Sequence, residues 1–251
     1  MSVRKLWAAV SVLTMGFAAG AANADTIADW NFDTLSGLSG GTTWSSANAV
    51  YTLNPITADS GNGTATMFHS NSDFDSSKAV GSSNHLSAYY ANAGYGSTGK
   101  ALSSDNWLAG DYYQFQVNTQ GASGISLSWN QYGSGTSPKD FELQYSTDGT
   151  NFTNFGAIAI AATSTWQSST EDLSSIVGLN DQQSVFFRLL DLDSTSISGG
   201  TVGVAGTDRI DNFTVAAASQ VSAVPLPAAV WLFGSGVLGL AGMRRRNGAA
   251  A

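Results

Sequence analysis

The chain has 251 residues, no cysteine, 11% charged residues and a formal net charge of −8. The absence of thiols excludes disulfides, cysteine-based metal sites, haem attachment through cysteine and thiol catalysis. All 18 acidic residues lie between Asp25 and Asp211, opposed there only by Lys78, Lys100, Lys139, Arg188 and Arg209, so five basic against 18 acidic residues leave a body at −13, which excludes a nucleic-acid or anionic-lipid surface.

Arg4 and Lys5 open a positive segment, residues 6–21 are apolar, and Ala22-Asn23-Ala24 forms a small-x-small cleavage site before Asp25. This pattern reads as a secretory signal peptide over residues 1–24, with Ala22 and Ala24 as the small residues just before the cut and signal peptidase as the first partner. Export without disulfides requires one well-formed core, and about 200 residues suffice to bury it.

The first expected strand covers residues 27–32. Residues 34–111 are dense in Ser, Gly, Asn and Thr with isolated aromatics, and read as strands with long loops in the same domain. Beyond them the period-two signal is plain: Tyr113, Phe115 and Val117 alternate with Gln114, Gln116 and Asn118, and Ile125, Leu127 and Trp129 alternate with serines. Phe141, Leu143 and Tyr145 follow the same rule and lead into Asp148-Gly149, which predicts a tight hairpin with positive backbone angles at both residues. Further strands are expected at 184–190 and 209–215. Short alternating strands, turn clusters and no sustained 3.6-residue period before the C-terminal segment predict an all-β fold, a single antiparallel β-sandwich over residues 25–215. Residues 216–223 read as a linker.

The C-terminal residues 224–251 combine a proline motif, an apolar run over 228–243 and Arg244, Arg245 and Arg246. A helix of about 16 to 20 residues at about 1.5 Å each spans roughly 24 to 30 Å, enough to cross a bilayer. The arginines would stay in the cytoplasm, leaving the body outside.

Candidate chemistry is sparse. His69 and His85 are the only imidazoles, and no nucleophile-elbow glycines surround any serine, so both read as surface or loop histidines and no enzyme is expected. Asp73 and Asp75, Asp191 and Asp193, and Asp208 with Asp211 are candidate calcium ligands, because carboxylates two apart on extended chain project to one side and calcium collects such oxygens. No cofactor other than a structural calcium is suggested. Trp44, Trp107, Trp166, Tyr89 and Tyr90 stand among polar neighbours and are candidates for a sugar-stacking platform, whereas Trp30 and Trp129 fall on core-facing strand positions.

Two resemblances follow from these residues. Val224-Pro225-Leu226-Pro227 with the apolar run and the arginines resembles the PEP-CTERM sorting signal of Gram-negative bacteria that make exopolysaccharide, with Leu226 in the usual Glu position. That resemblance implies recognition by an exosortase at Val224, Pro225, Leu226 and Pro227, transient anchoring in the inner membrane by a transmembrane helix, and delivery to the cell surface or biofilm matrix. The phrases Asp29-Trp30-Asn31-Phe32-Asp33, 141–152 and 209–215 resemble the jelly-roll architecture of carbohydrate-binding modules, which implies that the first and last strands pair. The expected function is a non-enzymatic, exported structural or interaction protein. The alternatives are a calcium-assisted glycan-binding module, whose partner would be extracellular polysaccharide, and an extracellular hydrolase.

Overall fold

A computed structural model describes residues 24–33, 44–47, 50–53, 55–70, 88–91, 94–97, 99–192 and 194–218. Residues 1–23 of the expected signal peptide, the sorting motif, Arg244 to Arg246, Asp73, Asp75, His85 and Asp193 lie outside the described residues.

The described residues form fifteen strands: β1 Ala24–Trp30, β2 Trp44–Ala47, β3 Val50–Leu53, β4 Ile56–Thr57, β5 Ser60–Gly61, β6 Gly63–His69, β7 Ala88–Ala91 and β8 Ala101–Ser104, then β9 Tyr112–Val117, β10 Ser123–Gly133, β11 Asp140–Ser146, β12 Thr153–Ala159, β13 Gln167–Asp172, β14 Val185–Asp191 and β15 Asp208–Ala218. They make two antiparallel sheets. The first runs β13-β10-β15-β1-β5, with β8 beside β15 and β7 beside β8; the second runs β12-β11-β14-β9-β6-β3-β2, with β4 on β6. No helix among the described residues is long and apolar enough to cross a membrane.

The alternation read from the sequence is what lets the two sheets face each other. Trp30, Leu127, Trp129, Phe213 and Val215 of the first sheet and Met67, Phe115, Leu143, Phe187 and Leu189 of the second are all buried. Because side chains on a strand alternate between faces, one set packs inward while the intervening Ser, Thr and Gln meet water. At the centre the Phe115 and Phe213 rings stack across the sheets with centroids 3.5 Å apart, and Trp30 meets both edge-on. Trp30 and Trp129 are buried, at their expected core-facing positions.

The first strand pairs with the last: Ala24 lies opposite Ala218 and Trp30 opposite Phe213. β15 thus continues three residues past the expected domain end, and Ala216, Ala217 and Ala218 belong to the sheet, not to a linker. The physical reason is that small alanines fit between β1 and β10, where Ala217 is buried.

The hairpin forms between β11 and β12, but its loop differs from the expected turn. Only Gly149 has positive φ, at 71°. Asp148 instead holds the loop through its carboxylate, which accepts hydrogen bonds from the Asn151 side chain and the Asn151 and Thr150 amides, and these keep its pKa well below the usual carboxylate range. The wider turn is therefore held by side-chain capping, as Asp does when it accepts from amides two or three residues on.

Candidate functional site

On the outer face of the first sheet, β10 and β15 lie side by side with Tyr132 opposite Arg209, and β8 places Ser103 opposite Arg209 on its other side. Tyr89 of β7 pairs in turn with Ser103, so Tyr89, Ser103, Arg209 and Tyr132 occupy one cross-strand row. Trp166, just before β13, brings its ring within 5.5 Å of Tyr132, and Tyr95, from a short 3-10 turn, meets Trp166 edge-on at 6.2 Å. The Arg209 guanidinium sits over the Tyr132 ring at 4.8 Å. Tyr95 is 45% exposed.

This aromatic group adjoins a row of polar side chains. Asn212 Nδ2 donates to Asn130 Oδ1, and Asn130 Nδ2 donates to Ser168 Oγ. Asn212 has φ of 50° beside a bulge in the β10–β15 ladder. Asp211 accepts from the amides of Tyr95 and Asn212, anchoring the Tyr95 turn to β15. Burial nevertheless pushes its carboxyl up to about 6. Rings that can stack on a sugar face thus stand beside amides and hydroxyls that can meet its oxygens.

The sequence-selected aromatics divide. Trp166 belongs to this group, and Tyr89 shares its row by register, whereas Tyr90 pairs with Leu102 one step along. Trp44 lies on β2 in the other sheet. Trp107 is a correction: it is 2% exposed, its indole donates to the Ser104 carbonyl, and it packs against His69, Tyr113 and Phe141, so it forms core and not platform. Its polar sequence neighbours concealed the contacts from distant strands that bury it. Tyr95, Tyr132 and Arg209 escaped the sequence reading because 77 residues separate the last two; an outward alternation on β10 and β15 was the available signal.

Of the candidate metal carboxylates, Asp191, Asp208 and Asp211 lie among the described residues. Among the described residues no group of three or more His, Asp or Glu could hold a metal ion. Asp191 and Asp208 are both buried, and Asp208 accepts from the Tyr113 hydroxyl at 2.9 Å and Gln131 Nε2 at 3.1 Å. Burial first, and then the nearby Asp191 charge, raise the Asp208 pKa well above the ordinary value, the direction of a carboxyl held neutral inside the sandwich. Asp211 faces Tyr95 instead.

His69 is a second correction, for it is fully buried. Its Nδ1 lies 2.8 Å from Asp111 Oδ2 and its Nε2 lies 3.1 Å from Ser104 Oγ. Asp111 also accepts from the Ser70 amide and hydroxyl and from the Leu108 amide. Nδ1 thus faces the Asp111 carboxyl while Nε2 meets the Ser104 hydroxyl. The order is that of a hydrolase relay, but Ser104, His69 and Asp111 are each 0% exposed. The relay ties the ends of β6 and β8 to the start of β9.

Elsewhere, Arg188 on the outer face of the second sheet lies between the Tyr112 and Phe152 rings and donates to Gln114. A shallow depression of about 230 Å³ lined by Asn62, Thr64, Gln116, Asn118 and Gln183 contains no aromatic ring.

No family model and no curated protein matches the chain. Among solved structures it is similar to the K1 cleaved adhesin domain of Lys-gingipain from Porphyromonas gingivalis W83, at 14% identity over 76% of this chain and 98% of that one, with a TM-score of 0.38. It is also similar to a family 16 carbohydrate-binding module, at 16% identity over 52% and 84% of the two chains with a TM-score of 0.31. A family 29 carbohydrate-binding module from Piromyces equi gives 6% identity over 55% and 85%, with a TM-score of 0.32. At such low identity, what this chain binds is read from its own side chains.

Proposed function

We infer that this chain is an exported, non-enzymatic interaction protein of the cell surface or exopolysaccharide matrix, and that it binds extracellular polysaccharide on the outer face of its first sheet. The observation that carries this reading is the grouping of Tyr95, Trp166, Tyr132 and Arg209 beside the Asn212, Asn130 and Ser168 row. Flat rings supply stacking area, and fixed amides supply direction. The N-terminal signal and the sorting-like C-terminal segment support a route through signal peptidase and an exosortase, with Pro225, Leu226 and Pro227 as the recognised motif and the arginines setting topology.

The test is binding of residues 25–223 to the producer's exopolysaccharide, with calcium and then with a chelator. Retention that falls at least tenfold in Trp166→Ala, with unchanged unfolding midpoint, supports the reading. Retention unaffected by Trp166→Ala and Tyr95→Ala places the binding elsewhere, and no retention in either condition removes it for that polymer. Loss of binding in chelator would bring in calcium and direct attention to Asp73, Asp75 and Asp193. For sorting, replacing Arg244 to Arg246 by neutral residues should impair membrane retention before processing; unchanged localisation would overturn the proposed topology.

A further inference from the structure

The two arginines of the body differ in how their donors are used. Arg188 is enclosed by two rings and donates from Nε to Gln114 at 2.7 Å. Arg209 donates no hydrogen bond and makes no ion pair among the described residues; its contact is the Tyr132 ring, and its Nε is buried without a partner. Ser103, opposite it on β8, likewise has a buried hydroxyl without a partner.

A guanidinium left so in a body with 18 acidic residues is an anomaly, because buried polar groups are nearly always paired and a carboxylate is the usual partner. No described carboxylate forms an ion pair or hydrogen bond with it, although the Arg209 charge does act on neighbouring Asp208. Asp208 points its Oδ1 to Tyr113 and Gln131, and burial favours its neutral form. Asp211 accepts from the amides of Tyr95 and Asn212. Among the described residues no acceptor meets the half-buried Arg209 guanidinium, which lies beside rings that would stack on a ligand.

Resting on the polysaccharide reading above, we propose that the site selects uronate-containing chains: the sugar ring stacks on Trp166 and Tyr132 while its carboxylate takes the Arg209 guanidinium. A carboxylate matches the fork in bidentate geometry, which a neutral hydroxymethyl group does not. The overall −13 of the body slows the approach of a polyanion, but at physiological salt charges beyond about 8 Å are screened and the contact pair survives.

The experiment compares hexasaccharides of galacturonate, glucuronate and mannuronate with their methyl esters, which keep the rings and remove the charge, and includes neutral hexasaccharides, all at 0.15 M salt against residues 25–223. The expected result is at least one acid bound about tenfold more tightly than its ester, a preference abolished in Arg209→Gln, while Trp166→Ala weakens acid and ester alike. Equal affinity for every acid and its ester, binding of neutral hexasaccharides only, or an acid preference that persists in Arg209→Gln would overturn the uronate proposal and leave the polysaccharide reading standing if Trp166→Ala still weakens binding. Failure of every saccharide, including the producer's polymer, would remove the polysaccharide reading and this proposal with it.

Discussion

Nδ1 of His69 stands 2.8 Å from Oδ2 of Asp111, and neither side chain is reached by solvent. With Ser104 and Ser70 the pair stitches three strand ends together, and removal of the ring would leave a buried carboxylate short of a donor. His69→Ala is expected to lower the unfolding free energy by about 2–4 kcal/mol in urea titrations. A serine-directed organophosphonate should leave Ser104 unmodified in the folded protein; labelling detected by peptide mass would instead make the relay catalytic.

Asp208 provides a pH-dependent prediction. Its folded pKa is raised well above 3.8, so the folded state holds a proton that the unfolded chain releases. The associated stability is fully present below about pH 4 and is lost as pH rises towards the folded pKa, at a slope of at most about 1.4 kcal/mol per pH unit. Asp208→Asn keeps the acceptor for Tyr113 and Gln131 and removes the titration. The variant should therefore gain thermal stability relative to the parent between pH 4 and 8, with no gain at pH 4; a constant difference across that range would refute the assignment.

The stacked Phe115 and Phe213 rings join the two sheets at their centre. Truncating Phe213 to Ala opens a cavity bordered by Trp30, Phe115 and Trp129, and should cost about 3–5 kcal/mol by denaturant unfolding. Phe213→Leu should cost clearly less, since it retains most of the buried volume.

Gly61 and Gly110 both have positive φ, at 77° and 97°, but their surroundings differ. A Cβ on Gly61 would stand 2.0 Å from the Ile27 carbonyl oxygen, whereas nothing lies within 4 Å of one on Gly110. Gly110→Ala should cost only the backbone strain, about 1 kcal/mol. Gly61→Ala must in addition displace β5 from β1, and melting temperatures of the two variants should separate accordingly.

The alternation of Tyr113, Phe115 and Val117 with glutamines made the second sheet readable in the sequence, and the same held for Ile125, Leu127 and Trp129 in the first. Period two is a local property, so it survives in one dimension. The burial of Trp107 and His69 is not local: it comes from β6, β8, β9 and β11 converging over a Ser- and Asp-rich segment. The aromatic group was half legible. Trp166 stood out among polar neighbours, whereas Tyr132 looked like one more residue of an alternating strand and Arg209 like a strand start. Their relationship exists only through the β10–β15 register.

That register also governs when the domain can come into being. β15 is the last strand among the described residues, yet it sits between β10 and β1 and supplies Ile210, Phe213 and Val215 to the core. Until residues 208–218 are available, β1 has no partner along most of its length and the first sheet has a gap at its middle. With its closing contact nearly 200 residues apart in sequence, the sandwich should fold slowly, and its first sheet should close only once β15 is available to be inserted between β10 and β1.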